Sequence, residues 1–69
     1  MSMTYDEMYK RILETVKQYP GITSAEIARK IKVHNQTIKK HLLKIEKEKG
    51  NVKSRKVGKR NLHWYPNES

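Results

Sequence analysis

Apolar residues at helical spacing, interrupted at fixed places, constrain this fold more than any other feature of the sequence. Between Tyr5 and Tyr19 the apolar positions fall within an arc of roughly 140° when they are plotted at ~100° per residue. Pro20-Gly21 follows, and a residue that precedes proline is disfavoured in the α region. The pattern predicts one amphipathic helix at about 4–19, with one face on a core.

Capping signals and apolar periodicity predict two more helices. The segments Thr4–Glu7 and Thr23–Glu26 both have the Thr-x-x-Glu form of a capping box, in which the hydroxyl and the carboxylate satisfy amides at a helix start. The second box opens a short helix at about 24–31. A third helix is expected at about 35–49, with apolar residues at i, i+4 and i+7, and Gly50 is suited to end it.

The remainder of the chain has strand character. Two short runs flank a turn-rich stretch that contains Gly58, and they predict a β-hairpin at about 51–65. Strand alternation puts Leu62 and Trp64 on the inward face, while Ile22 is expected in a short extended link. We therefore predict an α+β fold of three helices followed by a two-stranded hairpin, as a single domain over residues 1–69.

Composition narrows the class of protein. The 69 residues contain no cysteine, so disulfides and thiolate zinc sites are excluded. No stretch approaches the roughly 18 apolar residues of a membrane-spanning helix, and residues 1–4 lack the features of a secretory signal. The expectation is a protein that is not secreted and is cytoplasmic or nucleoid-associated, without a membrane partner.

The positive charge is concentrated in one half of the chain. The sequence has 16 Lys and Arg against 7 Asp and Glu, a net charge of +9. Residues 1–31 hold five basic and four acidic residues, a net +1, whereas residues 32–69 hold eleven and three, a net +8. Such asymmetry indicates a face that meets a polyanion, and nucleic acid is the first candidate.

No catalytic or metal-binding arrangement can be picked out. The three histidines His34, His41 and His63 do not have the i, i+4 spacing of a helical metal site. No nucleophile with a base, glycine-rich phosphate loop or carboxylate pair is present in the pattern. We expect no enzyme activity, no metal and no cofactor.

The run from Thr23 to Ile45, TSAEIARKIKVHNQTIKKHLLKI, resembles the helix-turn-helix of winged-helix transcription regulators such as the multiple-antibiotic-resistance and arsenic-resistance repressor families. Ile31-Lys32-Val33 matches their turn, the third predicted helix matches their second motif helix, and Val52 to Tyr65 matches their wing. The resemblance implies a winged helix-turn-helix that binds double-stranded DNA with the third helix in the major groove.

Residue types along this helix suit the groove. Asn and Gln can pair with adenine, Thr can contact a thymine methyl or a phosphate, and Lys can reach guanine or phosphate. Gln36 and Lys40 are the expected base readers, and Lys39 and Lys44 the expected phosphate contacts. The full predicted DNA-binding set is Asn35, Gln36, Thr37, Lys39, Lys40 and Lys44 on the helix, with Arg55, Lys56, Lys59 and Arg60 on the wing.

Two residues depart from the family pattern at the helix-turn-helix turn. These families often have glycine where this chain has Lys32, so we expect a strained or differently wound backbone there. His34 replaces the usual Ser or Thr at the N-cap of the third helix. Three placements are open to the His34 imidazole: it caps the helix, contacts a phosphate, or faces solvent.

Several functions share this fold. A non-specific or architectural DNA binder, or the DNA-binding module of a replication or plasmid-maintenance protein, is the nearest alternative to a regulator. A winged helix used for protein contact would show an exposed apolar patch. Families that read Z-form DNA use an Asn and a Tyr where this chain has Lys39 and Leu43, which argues against that function.

The sequence leaves monomer and homodimer open. Tyr5 and Tyr9 on the first helix are the expected contacts of a homodimer, and Leu43, which lies outside the apolar stripe of the third helix, is the second candidate.

Overall fold

The computed structural model of the chain describes residues 4–58 and 61–67. Along the chain the described elements are α1 (Tyr5–Gln18), β1 (Ile22–Thr23), α2 (Ser24–Ile31), α3 (Asn35–Glu48), β2 (Val52–Val57) and β3 (Asn61–Pro66). None of the helices in the described ranges has the length and apolar character needed to cross a bilayer.

The sheet has one strand more than the sequence predicted. Its order is β1-β3-β2 and both pairings are antiparallel. Trp64 in the central strand β3 lies between Ile22 of β1 and Ser54 of β2. The loop before β1 is fastened to β3, because the Gly21 amide donates to the Trp64 carbonyl at 2.8 Å. The predicted extended link at Ile22 is therefore a short edge strand that closes the sheet over the core.

The core lies between the helices and one face of the sheet. Residues at helical spacing on α1, α2 and α3 meet the inward residues of β1, β2 and β3, as amphipathic elements must if they are to bury their apolar faces. The buried hydrophobic residues are Met8, Ile12, Val16, Ile22, Ile27, Ile38, Leu42, Ile45, Val52 and Trp64.

One residue on the predicted inward face is not buried. Leu62 is 41 % exposed, although it shares the face of the buried Trp64. It pairs with Lys56 toward the turn end of the hairpin, whereas Trp64 lies opposite Ile22 in the middle of the sheet. Strand alternation assigns a face correctly, but it does not tell how far the helix layer extends along that face.

The threonine half of each predicted capping box forms, at α1 and at α2. The Thr4 hydroxyl oxygen accepts from the Glu7 amide at 3.2 Å, and the Thr23 hydroxyl oxygen accepts from the Glu26 amide at 3.3 Å. In each box the carboxylate accepts from the threonine hydroxyl, at 3.3 Å and 3.1 Å, and not from the threonine amide expected from the sequence pattern. The two helix starts are thus fixed by residues local in sequence.

The turn between α2 and α3 has the unusual backbone that the sequence predicted. Lys32 lies in the left-handed region, with φ 58° and ψ 50°, and its amide donates to the Ala28 carbonyl. The Val33 amide donates to the same carbonyl at 3.1 Å. These bonds end α2 and set the direction in which α3 leaves the turn.

Candidate nucleic-acid interface

Helix α3 is fixed to the core by one narrow face. Ile38, Leu42 and Ile45 are all completely buried, and at 3.6 residues per turn they occupy a single side of the helix. The opposite side is consequently left in solvent. This is the arrangement that a helix needs if it is to enter a DNA groove while remaining held by its own domain.

The solvent side of α3 presents polar and basic side chains. Asn35, Gln36, Lys39 and Lys40 are exposed, and Thr37 is half-buried. Within residues 4–58 and 61–67, neither Lys39 nor Lys40 forms an ion pair with a carboxylate. Gln36, Lys39 and Lys40 therefore share one accessible face, with Asn35 and Thr37 at its two edges in the first turn.

The N-terminus of α3 differs from those of α1 and α2 in charge. The first turns of α1 and α2 carry acidic residues, which offset the positive end of the helix dipole, whereas the first turn of α3 carries none. His34, the N-cap, makes no side-chain capping hydrogen bond and is exposed. The start of α3 thus keeps unneutralised positive potential, which favours an external anion such as phosphate.

Lys44 lies one turn after Lys40 on α3, where the helix packs beside α1. Its ammonium nitrogen is 4.8 Å from the ring centroid of Tyr5 on α1, and it lies 4.0 Å from a carboxylate oxygen of Glu48. The Tyr5 ring also contacts the His41 ring, with centroids 5.3 Å apart. The expected phosphate contact at Lys44 would have to compete with these intramolecular contacts.

His41 occupies the junction between α3 and α1 as a neutral imidazole. Burial, and secondarily the positive charge of Lys44, lower the pKa of His41 below its usual range. Its Nδ1 is buried and has no hydrogen-bond partner among the described residues. The ring therefore acts as a packing group against Tyr5 near neutral pH.

The hairpin distributes its predicted DNA contacts over two faces. Arg55 is opposite His63 and Lys56 is opposite Leu62, so the two cations point to opposite sides of the sheet. Lys56 shares the side of α3, and Arg55 shares the outer side with Tyr65. Both are exposed, while the predicted contacts Lys59 and Arg60 lie outside the described residues.

A carboxylate that the sequence analysis did not single out holds the hairpin against α3. One oxygen of Glu46 accepts from the Ser54 amide at 2.8 Å and from the Ser54 hydroxyl at 3.0 Å. The bond fixes β2 relative to the helix, and so fixes the wing relative to the groove-facing side of α3. The sequence signal was a pair of acidic residues, Glu46 and Glu48, near the end of an otherwise lysine-rich helix.

Two exposed leucines also lie side by side in the fold, although nothing in the sequence indicates that they are neighbours. Leu43, 54 % exposed, and Leu62 line the same concavity between α3 and β3, and Lys39 lies at its edge. The two are 19 positions apart, so only the packing of the hairpin beside α3 brings them together.

Comparison with known proteins agrees with this geometry. A family model described as winged helix-turn-helix DNA-binding matches residues 6–48. Among solved structures, the apo-Zalpha of zebrafish PKZ is similar, with a TM-score of 0.83 and 20 % sequence identity over 93 % of this chain and 97 % of that chain. At this identity the likeness shows the fold, and no curated protein is recognisably similar in sequence.

The family match covers the three helices and includes the helix-turn-helix, and the fold supplies the hairpin that completes a wing. The α+β winged helix-turn-helix predicted from the sequence is confirmed. This chain belongs to the winged helix-turn-helix DNA-binding family.

Proposed function

We propose that the chain is a small transcriptional regulator that places α3 in the major groove of double-stranded DNA and its basic hairpin on the adjacent groove or backbone. The observation that carries this proposal is the exposed face of α3 formed by Gln36, Lys39 and Lys40, on the side of the helix away from the buried Ile38, Leu42 and Ile45. Neither lysine forms an ion pair with a carboxylate among the described residues. An amide and a lysine at the start of a groove helix can both form hydrogen bonds with base edges.

Within this face the side chains divide by role. Gln36 lies two positions before the buried Ile38, and Lys40 lies five positions before the buried Ile45. At 3.6 residues per turn, these separations place both side chains on the side of α3 away from the buried stripe. They are the proposed base readers. Lys39, which lies nearer the hairpin, and Lys44 are the proposed phosphate contacts, and Asn35 and Thr37 complete the proposed DNA-binding set at the helix start.

The hairpin adds affinity that depends on salt. Lys56 lies on the sheet side that faces α3, where a duplex seated on the helix would pass. A lysine at a phosphate contributes through release of counterions, and removing it lowers affinity similarly on all sequences. Arg55 points to the outer side of the sheet. It would reach the same duplex only if the DNA backbone curved around the edge of the hairpin.

Duplex binding by fluorescence anisotropy tests the proposal. Lys40→Ala should weaken binding and change the preferred site, and Lys56→Ala should weaken binding evenly and reduce the salt slope by about 1. Lys10→Ala is the matched control, since it removes an exposed lysine from α1. The proposal fails if both interface variants bind duplex as well as the control does.

The same titrations separate a regulator from a non-specific DNA binder. A regulator should discriminate between duplexes selected from a random library and unselected competitor, typically by 10³-fold or more. A replication, plasmid-maintenance or architectural module that binds without sequence preference should show little discrimination at equal salt.

A homodimer through α1 remains a separate proposal. Tyr5 supports it, because 39 % of this residue is exposed. Tyr9 supports it less, since its hydroxyl is hydrogen-bonded to the Asn51 side-chain amide and the Lys49 nitrogen lies 5.9 Å from its ring centroid. Sedimentation equilibrium of the chain and of Tyr5→Ala, with and without duplex, tests it.

A further inference from the structure

An apolar concavity lies between α3 and β3, on the side of the molecule proposed to face DNA. Leu43 and Leu62 form its exposed walls and the buried Trp64 also lines it. It has a volume of about 190 Å³, and its remaining lining residues are Ser24, Lys39 and Asn61. Two large aliphatic side chains are thus exposed side by side within an otherwise polar and basic face.

Leaving these side chains in water has a free-energy cost that burial would remove, so the patch indicates a contact. None of the described lining residues is acidic, and Lys39 is at the edge. A second copy of the chain seated symmetrically here would bring Lys39 close to Lys39 of its neighbour. An exposed apolar patch is also expected of a winged helix that contacts a protein, but this one lies on the basic, groove-facing side of α3, so charge favours a polyanion as the occupant over another copy or a protein partner.

The major groove of DNA presents one apolar group, the C5-methyl of thymine. Leu43 follows Lys39 by four residues and Gln36 by seven, so all three lie along one side of α3. We infer that Leu43, with Leu62 beside it, contacts thymine methyl groups and gives the protein a preference for A·T pairs at this part of its site. This inference rests on the proposed function, because it requires α3 to lie in the groove.

The spacing of Gln36 and Leu43 along α3 also predicts how far apart their two base pairs lie. Seven residues of α-helix rise ~10.5 Å, and successive bases along a strand are ~3.4 Å apart. Gln36 is suited to adenine and Leu43 to a thymine methyl, so the two A·T pairs should be about three steps apart. The concavity is thus a specificity element, distinct from the cations that supply general affinity.

Removing only the methyl groups from the DNA tests the inference. The probes are two duplexes of 16 base pairs, one of alternating dA·dT and one in which deoxyuridine replaces every thymidine. The protein is the full chain and the readout is anisotropy at fixed salt. Leu43→Ala is the test variant, and Tyr19→Ala, which removes a comparably exposed side chain at the end of α1, is the control.

The wild-type chain should bind the thymine duplex about fourfold more tightly for each methyl group it covers. The preference should disappear in Leu43→Ala and persist in Tyr19→Ala. Equal wild-type binding of the two duplexes overturns the inference while leaving the proposed function intact, and so does an undiminished preference in Leu43→Ala. Binding to neither duplex at low salt, where the basic face should bind any duplex, overturns the proposed function itself.

Discussion

Replacing Lys32 by glycine should stabilise this fold, and the reason lies in a single backbone angle. Lys32 is the one non-glycine residue with positive φ in the described ranges, at φ 58° and ψ 50°. In this region the Cβ of an L-residue crowds the following carbonyl oxygen, whereas glycine has no Cβ. The side chain of Lys32 is exposed, so the substitution removes little packing.

The expected magnitude follows from two opposing terms. Relief of the left-handed conformation contributes about 1–2 kcal/mol to the free energy of unfolding. The greater freedom of glycine in the unfolded chain subtracts about 0.4–1 kcal/mol. The net gain is about 1 kcal/mol, which corresponds to a rise in Tm of roughly 4–8 °C for a domain of this size.

Thermal and urea unfolding followed by circular dichroism measure this gain. Lys32→Ala is the first control, because it removes the same charge but keeps a Cβ, and its stability should stay within about 0.5 kcal/mol of wild type. Arg29→Gly is the second control. It places glycine inside α2 at an exposed position and should destabilise the fold by about 1 kcal/mol.

Two results would refute the reasoning. A Tm of Lys32→Gly at or below that of wild type would mean that the left-handed backbone at this turn carries no strain. An equal gain in Lys32→Ala would assign the effect to the lost charge in a basic region and not to the backbone.

Three further perturbations have expected signs. Because burial lowers the pKa of His41, the folded chain should lose stability as the pH falls below 6.5, the ordinary histidine value, and His41→Gln should flatten this pH dependence of urea unfolding between pH 7 and 5. Glu46→Gln should cost about 1–2 kcal/mol in chemical denaturation, since it weakens the acceptor shared by the two Ser54 donors, and an unchanged midpoint would contradict the role given to this bond. Gly21→Ala should lower Tm, because φ is 87° and the new Cβ would lie 3.3 Å from the Tyr65 hydroxyl oxygen; a stable variant would show that the loop can shift.

The helical part of the fold was readable because its signals are local. Thr4 and Thr23 start helices through bonds to residues three positions away, and the apolar stripe of α3 specifies its buried face within the helix itself. The turn at Lys32 was also foreseeable, since the geometry of the motif demands a conformation that glycine adopts easily.

The missed features depend on residues far apart in the chain. The edge strand at Ile22 exists because β3 passes beside it, 42 positions later. Exposure of Leu62 and its proximity to Leu43 depend on how far the hairpin extends past the helices, and periodicity contains no information on that extent. The Lys44 contact with Tyr5 likewise depends on how α1 crosses α3.

Mapping backbone amide shifts during titration with a duplex tests the central claim most directly. The account predicts that the largest changes, at low and at moderate salt, fall on the exposed face of α3 from Asn35 to Leu43 and on the hairpin around Lys56. The exposed side of α1 around Lys10 should change little. Largest changes on α1, or none on α3 at saturating duplex, would contradict the claim that this chain meets DNA through its third helix.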